Sequence, residues 1–217
     1  MSLEISRSGT YVCVEIRKSL NLGCLIRCCV AFGCTGIILI GSMDYSSFGS
    51  HGSHLHLCYY HFDNWQEFLT YMQTKNIGYY LIQNTKLAQE RLIDSIKIEN
   101  VKFAAAETLI FVVEDTYTVP TEIQVNSIST ITVAAPNAVM SDKIDYKAKV
   151  AIVLQYYAAM VGVSANQFYN EKFMIAKSIP RNSKVISLSY SPQAAIEESA
   201  DDITNGAMSA LFGDEDA

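Results

Sequence analysis

The sequence predicts an α/β protein with a mainly parallel sheet and helices on both faces. Stretches rich in β-branched and aromatic residues, such as "TYVCVEI" (10–16) and "TLIFVVE" (108–114), alternate along the chain with stretches of helical periodicity. "GIILI" (36–40) is apolar at every position, as a strand buried on both faces of a parallel sheet must be. Half of the 217 residues are hydrophobic and only 18% are charged, enough to fill the two core layers of such a sheet.

The elements follow in order. The run 10–16 reads as the first strand. Asn21 can cap a helix that runs to about Phe32, and Gly33 can end it. The strand 36–40 comes next, then a Gly/Ser/His loop, "SSFGSHGSHLH" (46–56). Asp63 or Asn64 can cap a helix through about Thr74, in which Trp65, Phe68, Leu69 and Met72 fall at helical spacing. "IGYYLIQ" (77–83) reads as a strand, "KLAQERLIDSIKI" (86–98) as a helix, and 108–114 and "TITVAAP" (130–136) as strands. "KAKVAIVLQYYAAMVGV" (147–163) is a long apolar helix. The expected organisation is one domain over 1–165, an extension over 166–191 and an acidic, mobile tail over 192–217.

Charge and cysteine content bound the function. The net charge of −6 comes from the tail, where Pro192–Ala217 carry seven acids and no Lys or Arg. The rest holds 15 acids against 16 bases, and a nearly neutral body neither demands nor excludes a nucleic-acid surface. Six cysteines show no CxxC pair and four of them lie in one apolar segment, so reduced thiols are expected. No apolar run reaches the ~18 residues of a membrane span. The N-terminus lacks the apolar core of a secretory signal and is poor in Arg, which points to a cytoplasmic or nuclear protein and leaves mitochondrial import open.

"NLGCLIRCCVAFGCTGIILIG" (21–41) resembles the first motif of the SpoU/TrmH branch of the SPOUT RNA methyltransferases, roughly N-x-G-x-x-x-R-x-x-x-x-F-G followed by an apolar strand. Asn21, Gly23, Arg27, Phe32 and Gly33 carry the match. The loop "FGSHGS" (48–53), "EKFMIA" (171–176) and the acidic end resemble a eukaryotic subgroup. The resemblance implies a C-terminal trefoil (α/β) knot and a dimer with active sites near the subunit interface. It also implies methyl transfer from S-adenosylmethionine to a ribose 2′-hydroxyl of tRNA or rRNA. By the same resemblance Arg27 would help deprotonate the hydroxyl, with Asn21 and Glu114 ordering substrate and loop. Val112, Val113, Glu114, Ala134, Ile144 and Asp145 would meet the cofactor, and Asn21, Arg27, Ser50, His51, Ser53 and His54 the RNA. A strand-to-helix turn suits the first motif's role, because a helix N-terminus favours anions and a guanidinium can clamp a phosphate.

Two further motifs depart from the family. Where it carries F-G-N-E-G-x-G-L, this chain reads "FVVEDTYTV" (111–119): Glu114 is kept, while Val112, Asp115 and Tyr117 replace glycines. Glycines there admit positive φ and let backbone amides approach a ligand. Where the family carries S-L-N before its last helix, Lys143, Ile144 and Asp145 stand, with Lys147 in place of a second hydroxyl. Two readings follow. One is a SPOUT protein that keeps RNA or subunit binding and has weakened or lost its cofactor, alone or as helper subunit in a heterodimer. The other is an active 2′-O-methyltransferase with divergent loops, for which S-adenosylmethionine is the cofactor. The partner in both is RNA, free or within a ribonucleoprotein, rather than DNA or a membrane.

Other groupings weigh less. His51, His54, His56 and Cys58 fall within eight residues, but their spacing matches no common zinc module and no metal is expected. The tyrosine pairs 59/60, 79/80 and 156/157 are read as core or dimer contacts in preference to base-stacking groups. "KSIPRNSK" (177–184) suits either a phosphate contact or a solvated linker.

Overall fold

The computed structural model describes residues 4–6, 8–17, 20–83, 88, 94–103, 108–113, 119–135, 143–162 and 186–187. Its main sheet is parallel. The strands are β1 (Thr10–Ile16), β3 (Gly36–Gly41), β5 (Cys58–Phe62), β6 (Tyr80–Gln83), β7 (Ser95–Lys97), β8 (Leu109–Val113) and β9 (Ser129–Thr132). They lie in the order β5-β3-β1-β8-β6-β9-β7, and β10 (Ile186–Ser187) pairs outside β5. Two short strands, β2 (Leu20–Asn21) and β4 (Tyr45–Ser46), form a separate parallel pair.

Alternation along each strand builds two cores. Val12, Val14, Ile37, Leu39, Phe111 and Val113 point to one face, where they meet helices α1 (Gly23–Ala31) and α4 (Tyr146–Val161). Tyr11, Cys13, Ile38, Ile40, Ile110 and Val112 point to the other, against α2 (Trp65–Lys75) and α3 (Thr121–Val125). Each fully buried Leu or Ile in these layers stabilises the fold by roughly 1.5–3 kcal/mol. Helices on both faces of a parallel sheet are thus as the sequence predicts. The connections 114–118 and 136–142, through which a knot would be threaded, lie outside the described residues, as do most of the extension and the whole of the tail.

Several elements differ from expectation. Cys58–Phe62, to which the sequence reading assigns no element, is a strand of the main sheet. The helix expected over 86–98 ends as the strand Ser95–Lys97 and a 3-10 turn, Ile98–Asn100; most of its first half lies outside the described residues. Residues 53–56 form a 3-10 turn, so His54, His56 and Cys58 do not share the face of one strand. Among the described residues no three His, Cys, Asp or Glu come together as a metal would require. Tyr59, Tyr60, Tyr79, Tyr80 and Tyr157 are all buried in the core, as expected. The N-cap of α2 is Asn64, whose side chain accepts from the Glu67 amide at 3.0 Å while Glu67 accepts from the Asp63 amide at 3.1 Å.

Because all strands run the same way, their carboxyl ends open at one edge. Ile16 pairs with Gly41, Val14 with Val113, and Gln83 with Thr132. The chain leaves β1 towards β3 and β5, then crosses by α2 to β6 on the far side of β1. The winding reverses at β1/β8, and in open α/β sheets the crevice beyond such a point is where ligands bind.

Candidate functional site

The first motif follows the carboxyl end of β1, at that edge of the sheet. After β1 the chain pairs briefly with β4 and enters α1. Asn21 is exposed, and its Oδ1 accepts from the Gly23 amide at 2.9 Å. The N-cap of α1 is Leu22, not Asn21 as expected. Asn21 stands one residue earlier because Leu22 is drawn into the β2–β4 pair, donating its amide to the Ser46 carbonyl at 2.8 Å. Asn21 still satisfies one of the helix's first amides. At the other end Phe32 is the C-cap and Gly33 takes φ +72°, as its place after the helix requires.

The loop after β3 closes over the start of α1. The Phe48 amide donates to Ser46 Oγ at 3.1 Å, and the Ser50 amide to the Ser47 carbonyl at 2.9 Å. Gly49, His51 and Gly52 all have positive φ, so the chain doubles back sharply. Ser50 is buried and shares a 2.9 Å hydrogen bond with His54 Nδ1. A β-carbon on Gly23 would overlap the Phe48 carbonyl and crowd the Ser50 amide. Gly23 therefore lets this loop rest on the helix.

The RNA-side residues of the sequence reading divide accordingly. Asn21, Arg27 and His51 are exposed, and His54 is half-buried against Ser50. Ser50 and Ser53 face inward and hold the loop's shape. Arg27 is one turn beyond Gly23 on the same side of α1, since residues four apart share a helix face. Cys24 and Cys28 lie beside it. Burial pushes the Cys28 thiol up and neighbouring Cys24 adds to this, while the Arg27 guanidinium pulls the other way. The Cys29 thiol is held well above its ordinary value, first by its hydrogen bond with Cys34 and then by burial, so it is inert at neutral pH.

The cofactor-side residues lie along the same edge, on β8, after β9 and before α4. Val112 and Val113 are regular strand with side chains in opposite core layers, so they could meet a ligand only through backbone. Ala134 is exposed and Ile144 half-buried. Asp145 is the N-cap of α4, its carboxylate accepting from the Lys147 amide at 2.8 Å. Glu114 lies outside the described residues. S-adenosylmethionine needs hydrogen-bond donors for its carboxylate and acceptors for its ribose hydroxyls. The described set offers the backbone of Val112 and Val113, the Ala134 methyl, the Ile144 side chain and the Asp145 carboxylate, which could accept from a hydroxyl; the connections 114–118 and 136–142 lie outside the described residues.

Sequence reasoning missed Ser46 and Phe48. Ser46 fixes the loop's entry, and Phe48 is 83% exposed at its tip. An aromatic directly before glycine in an otherwise polar loop was the available signal for Phe48.

Residues 10–116 match the model of the SpoU rRNA methylase family. No curated protein is a significant sequence match. The fold is that of solved SpoU/TrmH proteins. The AdoMet-bound rRNA methyltransferase from Sinorhizobium meliloti matches with TM-score 0.55 at 17% identity, over 71% of this chain and 57% of that one. The SpoU methyltransferase AviRb from Streptomyces viridochromogenes matches with TM-score 0.56 at 13% identity, over 72% and 61%. The A. aeolicus TrmH/SpoU tRNA modifying enzyme matches with TM-score 0.57 at 15% identity, over 71% and 76%. This chain thus spans less than two thirds of the length of the first two.

Proposed function

We propose that this chain is a SpoU-type RNA 2′-O-ribose methyltransferase-like protein acting on tRNA or rRNA, with weakened or lost S-adenosylmethionine binding. The carrying observation is the joint built by Gly23. It brings the N-terminus of α1, the exposed Asn21 amide, the Arg27 guanidinium and the 48–54 loop together at the carboxyl edge of the sheet. A helix N-terminus with an adjacent arginine suits a phosphate or ribose, and the match over 10–116 supports that assignment. The sequence departures, Val112, Asp115 and Tyr117 for glycines and Lys143-Ile144-Asp145 for S-L-N, support loss on the cofactor side.

The outward face of α4 carries Ile152 and Met160, 42% and 45% exposed, and suits a second SPOUT chain, identical or different. In a mixed pair this chain would contribute Arg27 to a composite site. A cytoplasmic or nuclear setting goes with that role. The deciding experiment is calorimetric titration with S-adenosylmethionine and its demethylated product. No heat at millimolar ligand supports the reading. Micromolar binding overturns it and favours the alternative, an active methyltransferase with divergent loops, which the AdoMet-bound neighbour also favours.

A further inference from the structure

We propose that Phe48 is a base-stacking residue that holds an unpaired nucleotide of the RNA beside Arg27; the inference rests on the RNA-binding reading above. Phe48 is the most exposed large hydrophobic residue among those described, at 83%. It is not a stray side chain on a loose loop. Its own amide is bonded to Ser46 Oγ, its carbonyl rests against Gly23, and the Ser50 amide closes the turn onto Ser47. The backbone is fixed and the ring is left outside. Nearby in the same connection, Leu55 and Met43 are 39% and 53% exposed.

The chemistry around the ring selects the ligand. Residues 42–57 contain Asp44 and three histidines but no Lys or Arg, so this loop is poorly suited to bind phosphate by charge. The positive groups lie on α1, in its first turn, which the Phe48 carbonyl touches at Gly23, and in Arg27 one turn further on. Single-stranded nucleic acid is bound by this division of labour: cations follow the backbone while aromatic rings stack on the bases. A ring on a projecting loop reaches a base that has left its helix, not one paired in an A-form duplex. A protein partner would explain the exposed ring but not its place beside a phosphate-binding helix end.

The test is fluorescence anisotropy of the full chain with labelled single-stranded oligouridylate, comparing wild type, Phe48→Ala, Phe48→Tyr and Arg27→Ala. Phe48→Ala is expected to weaken binding about five-fold or more, the loss of one stacked base, with melting temperature unchanged. Phe48→Tyr is expected to bind as wild type does. Undiminished binding by Phe48→Ala, with Arg27→Ala weakened, overturns the inference and leaves the RNA reading standing. Failure of the wild type to bind oligouridylate overturns the stacking role, and its failure also to bind tRNA or rRNA overturns the reading beneath it. If Phe48→Ala changes only the oligomeric state seen by light scattering, the ring is covered by a second copy and the stacking role is wrong.

Discussion

The backbone carbonyl of Phe48 occupies the space that a β-carbon on Gly23 would need. The glycine is required by its neighbour, not by its own backbone, since Gly23 is a helical residue without positive φ. Gly23→Ala must therefore push the 48–52 loop off α1 or tilt the helix. Overpacking of this kind costs about 1–3 kcal/mol, and urea unfolding should show that loss together with weaker RNA binding. Gly49→Ala is the contrast. It meets nothing within 4 Å and suffers only from its φ of +82°, so it should cost about 1–2 kcal/mol without a steric clash.

Arg27→Ala should separate binding from stability. Arg27 is exposed on α1, so its loss should change unfolding free energy by less than about 0.5 kcal/mol. If it clamps a phosphate, RNA affinity falls and the slope of log affinity against log salt drops by about one. An unchanged salt slope in a filter-binding series would remove Arg27 from the interface.

How much of this was legible varies by element. The strands 10–16, 36–41 and 109–113 were readable because each, Glu15 apart, is apolar or β-branched and buried on both faces. "CYYHF" was missed because Cys58 and His61 interrupt the pattern. Only in the fold is His61 buried, with its Nε2–H donating to the Gly41 carbonyl at 2.6 Å. Ser95–Lys97 reads as helix from its neighbours, and pairing with β9 overrides that local preference. At the site, Asn21 and Arg27 could be picked out by the resemblance of 21–33 to the family's first motif, but the purpose of Gly23 could not. It depends on a carbonyl 25 residues away.

Alkaline pH should unfold the protein through its tyrosines. Burial pushes Tyr59, Tyr60 and Tyr79 far above the ordinary value of 10.0. The Tyr59 hydroxyl has no hydrogen-bond partner among the described residues to stabilise an anion. Above pH 10.0 the unfolded chain has released these protons and the folded chain has not. Their contribution is therefore fully present below that pH and is lost as pH rises towards the folded values. Near-ultraviolet tyrosinate absorbance should show a delayed fraction that appears together with loss of circular dichroism. A single transition at the ordinary value, with the fold intact, would contradict the burial of these rings.

Asp145 offers a way to tell a cap from an eroded cofactor site. Its carboxylate accepts from the Lys147 amide and starts α4, so Asp145→Ala should cost about 1 kcal/mol in urea unfolding. Asp145→Asn preserves the cap, because an amide oxygen accepts the same bond, and should unfold within a few tenths of a kcal/mol of wild type. It also removes a negative charge from the position where the family's motif carries asparagine. If that charge is what excludes S-adenosylmethionine, Asp145→Asn binds it measurably in the calorimeter where the wild type does not. If neither protein binds, this charge is not what excludes the cofactor, and the carboxylate serves the helix alone.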